Sequence, residues 1–146
     1  MKYIFCVCAF LVATLTNIND IYTQTSEDVA IEYTDEDYEI LCRLVKAEAD
    51  GECELGKRLV VDVVINRVLD EGFPNSIKDV VFQENQFCQK FQDDKNTYIS
   101  DEIKCVVKEE LENRFSKRVL YFKTEDYHKK YGTPLYKVGN HYFSKK

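Results

Sequence analysis

The stretch LVKAEADGE, Leu44 to Glu52, crowds three carboxylates, Glu48, Asp50 and Glu52, into five positions. A carboxyl kept protonated near neutral pH beside an apolar wall is what a general acid needs to break a glycosidic bond. Glu48 is the member of the trio whose position suits that task. Leu41, Leu44 and Val45 recur at i, i+3 and i+4, and the same series continued from Leu41 by two turns lands on Glu48. The spacing therefore turns Glu48 the same way as the leucines, toward the next helix. An ionised carboxylate buried there alone is costly, so it either meets a cation or its pKa rises. Asp50, Glu52 and Glu54 push in the same direction as burial. Three readings stand: a general acid, the partner of a buried cation (Arg67 is the candidate), or a solvated residue beyond an early helix end.

The elements that must hold this group can be read around it. YTDEDYEILCRLVKAEA predicts a helix, with Thr34 and Asp37 as a capping box, Asp35 and Glu36 at its positive end and Gly51 as its stop. A second helix runs from Glu54 to about Leu69. Its apolar residues, Leu55, Leu59, Val60, Val63, Val64, Ile65 and Val68, wrap so much of the circumference that it belongs at the centre. Gly72 and Pro74 break it, and Asn75 or Ser76 caps the short IKDVVF segment. QENQFCQKFQDDKN reads as a loop, and Ser100–Asp101 open a third amphipathic helix with Ile103, Val106, Val107 and Leu111 on one face. RVLYFKT and PLYKVGNHYFS are β-branched and aromatic runs bounded by Gly132, Pro134 and Gly139, which predicts short strands. Helices first and a small β element near the C-terminus make an α+β, mostly α, fold.

The 146 residues suit one domain, and 45% hydrophobic with 32% charged residues is a globular composition. Lys2 followed by the apolar run Tyr3–Leu15 reads as a signal peptide or N-terminal anchor over 1–25, with a connector at 26–33 and the catalytic domain at 34–146. Charge is uneven: residues 26–113 carry 10 basic and 23 acidic side chains, and 114–146 carry 9 and 2. The acidic body argues against nucleic acid as a partner. The basic end reads as a solvated terminus, or as a surface for an anionic polymer such as wall carboxylates. Beyond the leader, Cys42, Cys53, Cys88 and Cys105 show no CxxC pair and no zinc-ligand cadence; buried free thiols are the expectation, with disulfides in one of three pairings the alternative for an exported chain. Nothing in the pattern asks for a cofactor or a metal.

LCRLVKAEADGECELGKRLVVDVVINRV, then GFPNSIKDVVFQENQF and the ending GNHYF, resembles the SleB/CwlJ-type cell wall hydrolases, the spore cortex-lytic family. The resemblance carries an AEAxGE segment, an apolar helix ending in NRV, an FP element, a QF element and a closing Gly-x-His-x-Phe. It covers most of residues 38–143 and departs at Asp50, where relatives often have Gly or Arg.

That resemblance implies a lysozyme/lytic-transglycosylase-like fold and cleavage of peptidoglycan between N-acetylmuramic acid and N-acetylglucosamine. Glu48, the first Glu of AEAxGE, would be the catalytic acid of a lytic transglycosylase. The alternatives are a non-catalytic wall-binding or spore-assembly protein of the same fold, and a hydrolytic muramidase with Glu52 as the second carboxylate. Glu52 either faces the cleft or caps the next helix, and the structural role is the one expected, because acids near a helix start are common. The substrate-binding candidates are Asn66, Gln86, Phe87, Tyr121 and His141. Asn66 binds an acetamido group or ties a loop to its helix. Phe87 lines a subsite or fills the core. Strand alternation sends one of Tyr121 and Phe122 to the groove. His141 contacts substrate or is a satisfied structural histidine. The expected partner is the peptidoglycan strand, with an accessory wall or spore protein, for a secreted or wall-associated monomer.

Overall fold

The computed structural model describes residues 31–87, 97–124 and 132–146. The leader run and Cys88 lie outside the described residues. Among those described, no helix is long and apolar enough to cross a membrane.

The expected helices form where the sequence pattern puts them: α1 is Asp35–Ala49, α2 Glu54–Val68, α3 Ile77–Val81 and α4 Asp101–Glu112. The α1 capping box closes with Asp in the place of the usual Glu. Asp37 N–H donates to Thr34 Oγ1 at 3.2 Å, and Thr34 N–H donates to Asp37 Oδ2 at 3.0 Å. The helix continues through Ala49, so Glu48 sits in its last turn and not beyond an early end. Ser76 and Ser100 cap α3 and α4 through Asp79 N–H and Ile103 N–H.

Helix α2 is the centre, buried without interruption from Leu59 to Arg67, with α1, α3 and α4 packed around it. Its one polar stripe is regular: Arg58, Asp62 and Asn66 stand one turn apart and face the segment after α4. Arg58 Nε donates to Glu110 Oε2 and its Nη2 to Asn113 O. Asp62 Oδ2 accepts from Ser116 N–H at 2.6 Å. Asn66 Nδ2 donates to Ser116 O at 2.8 Å and Val119 O at 2.9 Å, and its Oδ1 accepts from Arg114 at 3.0 Å. Residues 110–119 are thus held to α2 by its side chains, and this delivers the chain into the sheet.

The sheet is antiparallel in the order β1–β3–β2, with β1 Tyr121–Thr124, β2 Thr133–Val138 and β3 His141–Lys145. Phe122 lies opposite Phe143, and Thr124 and Val138 both lie opposite His141. A bulge between Pro134 and Tyr136 shifts the β2 register, as the missing N–H of a proline invites. Phe143, fully buried, joins this sheet to the helical core.

Cys42 is a buried free thiol, but Cys53 and Cys105 are exposed, against the expectation of burial. Cys53 is the N-cap of α2 and Cys105 lies on the outer face of α4, where its Sγ bonds Glu109 Oε1 at 3.2 Å.

Candidate functional site

The last turn of α1, the segment after α3 and the end of β1 border an open cavity of about 330 Å³. Glu48, Asn85, Gln86, Phe87, Phe122, Lys123 and Thr124 line it. That volume lies within the range of small-molecule sites. Among the described residues Glu48 is the sole carboxylate in the lining, set among aromatic rings, two amides, a hydroxyl and an ammonium. It is half-buried and opens on this cavity, whereas the leucine stripe had pointed it at α2.

Arg67 is not the cation for Glu48. Its hydrogen bonds run to Leu120 O at 2.8 Å and Gln86 Oε1 at 3.2 Å. Asn85 has a φ of 61°, a left-handed conformation that asparagine tolerates better than most side chains. It turns the chain so that Gln86 and Phe87 both reach the cavity.

The sequence candidates separate into groups. Glu48, Gln86 and Phe87 come together on the cavity. Phe87 borders the cavity and, 8% exposed, is also part of the core. Of the β1 pair, Phe122 is the one on the cavity, with its ring 6.0 Å from Phe87 and 5.9 Å from Phe143. Tyr121 is instead 6.1 Å from the Phe73 ring and close to the Arg67 guanidinium. Asn66 is buried and ties residues 114–119 to α2, with both ends of its amide bonded to its own chain. Asn85, Lys123 and Thr124 had not been singled out. The signal for Asn85 was its place before a QF element; Lys123 and Thr124 lie at the cavity because it straddles the strand end.

Glu52 neither caps α2 nor lines the cavity. Its carboxylate reaches the β2–β3 turn, where Asn140 N–H approaches both oxygens at 3.3 Å and Asn140 Nδ2 donates to Oε1 at 3.2 Å. Gly139, at φ 54°, lets the turn come this close, because a Cβ there would overlap the Glu52 carboxylate. His141 follows the turn and is 2% exposed. Its ring meets Phe122 edge-on at 5.2 Å, and Nδ1 is 3.7 Å from Glu52 Oε1, beyond hydrogen-bond length. Both ring nitrogens lack a hydrogen-bond partner among the described residues, so this histidine is buried but not satisfied. Burial holds its pKa below the ordinary value, with Glu52 and then Glu48 pulling the other way.

Chemically, the described residues of the site offer one carboxyl for proton transfer on a partly apolar wall, with amide and hydroxyl groups and the Lys123 ammonium around it. Among the described residues, no cluster of three or more His, Cys, Asp or Glu is arranged to hold a metal.

Comparison with known proteins locates the chain. The spore cortex-lytic enzyme of Bacillus cereus is 34% identical over 55 residues, covering 38% of this chain and 21% of that enzyme. Cell wall hydrolase CwlJ of Halalkalibacterium halodurans is 40% identical over 57 residues, covering 36% of this chain and 40% of the relative. The matches thus span well under half of either relative. In structure, the chain is similar to the catalytic domain of the germination-specific lytic transglycosylase SleB from Bacillus anthracis. The TM-score is 0.68 at 24% identity, over 77% of this chain and 97% of that one. The Bacillus cereus SleB catalytic domain gives a TM-score of 0.68 at 25% identity, over 78% and 93%. The lysozyme-like α+β fold expected from the sequence is therefore the fold observed. Residues 51–144 match the cell wall hydrolase family, and the chain belongs to it.

Proposed function

We propose that the protein cleaves peptidoglycan glycan strands at the N-acetylmuramic acid–N-acetylglucosamine bond as a lytic transglycosylase, with Glu48 as its general acid and base. The observation that carries this reading is a cavity in which Glu48 is the single carboxylate among the described lining residues, beside the rings of Phe87 and Phe122. Glu48 protonates the glycosidic oxygen as the bond to the anomeric carbon breaks. The resulting carboxylate then takes the proton of the muramic 6-hydroxyl, whose oxygen closes on that anomeric carbon to give a 1,6-anhydro end. Intramolecular attack has a large proximity advantage, so no second protein carboxylate is required, whereas hydrolytic glycosidases ordinarily use two. The engagement of Glu52 with the Gly139–Asn140 turn favours the single-carboxyl route. The site of action would be the cell wall or spore, after export directed by residues 1–25.

Digestion of purified peptidoglycan, read by mass spectrometry of the muropeptides, tests this: anhydro ends support the lytic route and reducing ends overturn it in favour of hydrolysis. Glycan binding without any cleavage would instead indicate a wall-binding protein. Glu52→Gln separates the routes from the protein side. It keeps an oxygen for the Asn140 donors, so the lytic reading expects activity within about threefold of the parent and a stability loss of about 1–2 kcal/mol. A loss of rate as deep as that of a Glu48 substitution, in a folded variant, would make Glu52 the second catalytic carboxylate.

A further inference from the structure

The guanidinium of Arg67 is buried, 4% exposed, and rings surround it: Phe73 at 5.0 Å, Phe87 at 5.1 Å and Tyr121 at 5.6 Å from its central carbon. Desolvation lowers its pKa to about 10, which leaves it a cation at neutral pH. Nε is fixed on Leu120 O at 2.8 Å, and Nη1 donates to Gln86 Oε1 at 3.2 Å. A guanidinium has donors and no acceptor. An amide that faces it must therefore turn its oxygen inward, and that commits the orientation of Gln86. A free glutamine offers both a donor and an acceptor. This one has its Oε1 engaged by a buried arginine, so its –NH₂ is the end left for the cavity that Gln86 lines.

We propose that Gln86, its amide locked by Arg67, is a specificity-determining donor that reads the acetamido carbonyl of an N-acetylated sugar. The proposal rests on the reading of this cavity as a glycan site. Sugar hydroxyls donate and accept alike, so a donor-only group does not select among them; a carbonyl oxygen accepts only, and selects for such a donor. The acetamido methyl has apolar neighbours to meet in Phe87, the next residue, and Phe122 on the same cavity. Asn66, the sequence candidate for this task, is engaged by its own chain at both ends of its amide.

The test uses the full chain, titrated calorimetrically with the tetramer of N-acetylglucosamine and with its deacetylated counterpart, alongside steady-state kinetics on peptidoglycan. Gln86→Glu keeps and charges the bond to Arg67 but replaces the donor with an acceptor. Gln86→Met removes the donor without adding charge. Both variants should retain the parent melting temperature within a few degrees, lose about tenfold in affinity for the acetylated tetramer, and raise KM by a similar factor with kcat little changed. The preference for the acetylated over the deacetylated tetramer should shrink in Gln86→Met as well as in Gln86→Glu.

Unaltered affinity in both variants overturns the proposal. So does an equal loss for the two tetramers in Gln86→Met, which would mark a general effect on the wall. A parent protein that cleaves peptidoglycan while these variants behave like it sinks Gln86 alone. A parent protein that neither cleaves peptidoglycan nor binds either tetramer sinks the glycan reading as well.

Discussion

Glu48→Gln should lower the rate of peptidoglycan cleavage by about 10²–10⁴-fold, the usual contribution of a positioned general acid, and leave the fold intact. Glutamine has the shape of the acid but can neither give nor take the proton that the glycosidic oxygen and the muramic 6-hydroxyl require. The fold should tolerate the change because Glu48 is half-buried on a cavity wall in the last turn of α1. Glutamine matches the volume and shape of the acid, so the last turn of α1 packs as before. The measurements are muropeptide release from purified wall and a thermal melt on the same preparation. Wild-type turnover in a folded Glu48→Gln protein would remove Glu48 from the chemistry altogether. A variant that fails to melt cooperatively would mean instead that the carboxylate holds structure.

How far the sequence carries depends on how local each feature is. The four helices follow from local signals: the Thr34–Asp37 box, the apolar period of α1 and α4, and the nearly all-round apolar surface that makes α2 central. Glu48 stands out for the same reason, because a carboxylate in a leucine series is visible within one helix. Its surroundings are not local. They come from the turn around Asn85 and the end of β1, and no periodicity in α1 reports which later segments close over it. The choice between Tyr121 and Phe122 depended on which face of β1 meets the core, and pairing of Phe122 opposite Phe143 decides it. Asn66 resembled a ligand-binding amide because the sequence does not reveal that Arg114, Ser116 and Val119 return to it. One signal was available and unused: Arg58, Asp62 and Asn66 are polar positions spaced by single turns along an apolar helix, which is the pattern of a stripe that grips another segment.

The strongest stability effect should come from that stripe. Glu110 is fully buried and serves three neighbours at once. It pairs with Arg58, accepts from Phe115 N–H, and lies against Asp62. Removing one partner of a buried ion pair strands the rest, so Glu110→Ala should cost about 3 kcal/mol, the low end for such pairs because Arg58 retains some access to solvent. For a chain of this size that corresponds to about 10 °C in Tm. Asp62 explains why the cluster is also sensitive to pH. Burial, and next the charge of Glu110, push its pKa up to about 9, against the pull of Ser116 N–H and Arg114. Its Oδ1 has no donor facing it among the described residues, and a proton on that carboxyl, shared with Glu110, supplies the missing bond.

The folded chain therefore holds a proton that the unfolded chain releases in the ordinary carboxylate range. The contribution is complete below that range and is lost as pH rises toward about 9, with a slope of at most about 1.4 kcal/mol per pH unit. His141, whose pKa is lowered, acts in the opposite sense below the ordinary histidine value of 6.5. The comparison is cleanest from about pH 7 upward, where histidine is largely neutral. Asp62→Asn should keep most of the neutral-pH stability, since its amide donates to Glu110 as the protonated acid does, and should flatten the fall at higher pH. Urea denaturation at several pH values reads both effects. Parallel pH profiles for the parent and Asp62→Asn would mean that Asp62 carries no shifted proton, and a Glu110→Ala protein as stable as the parent would mean that the stripe does not hold residues 110–119 in place.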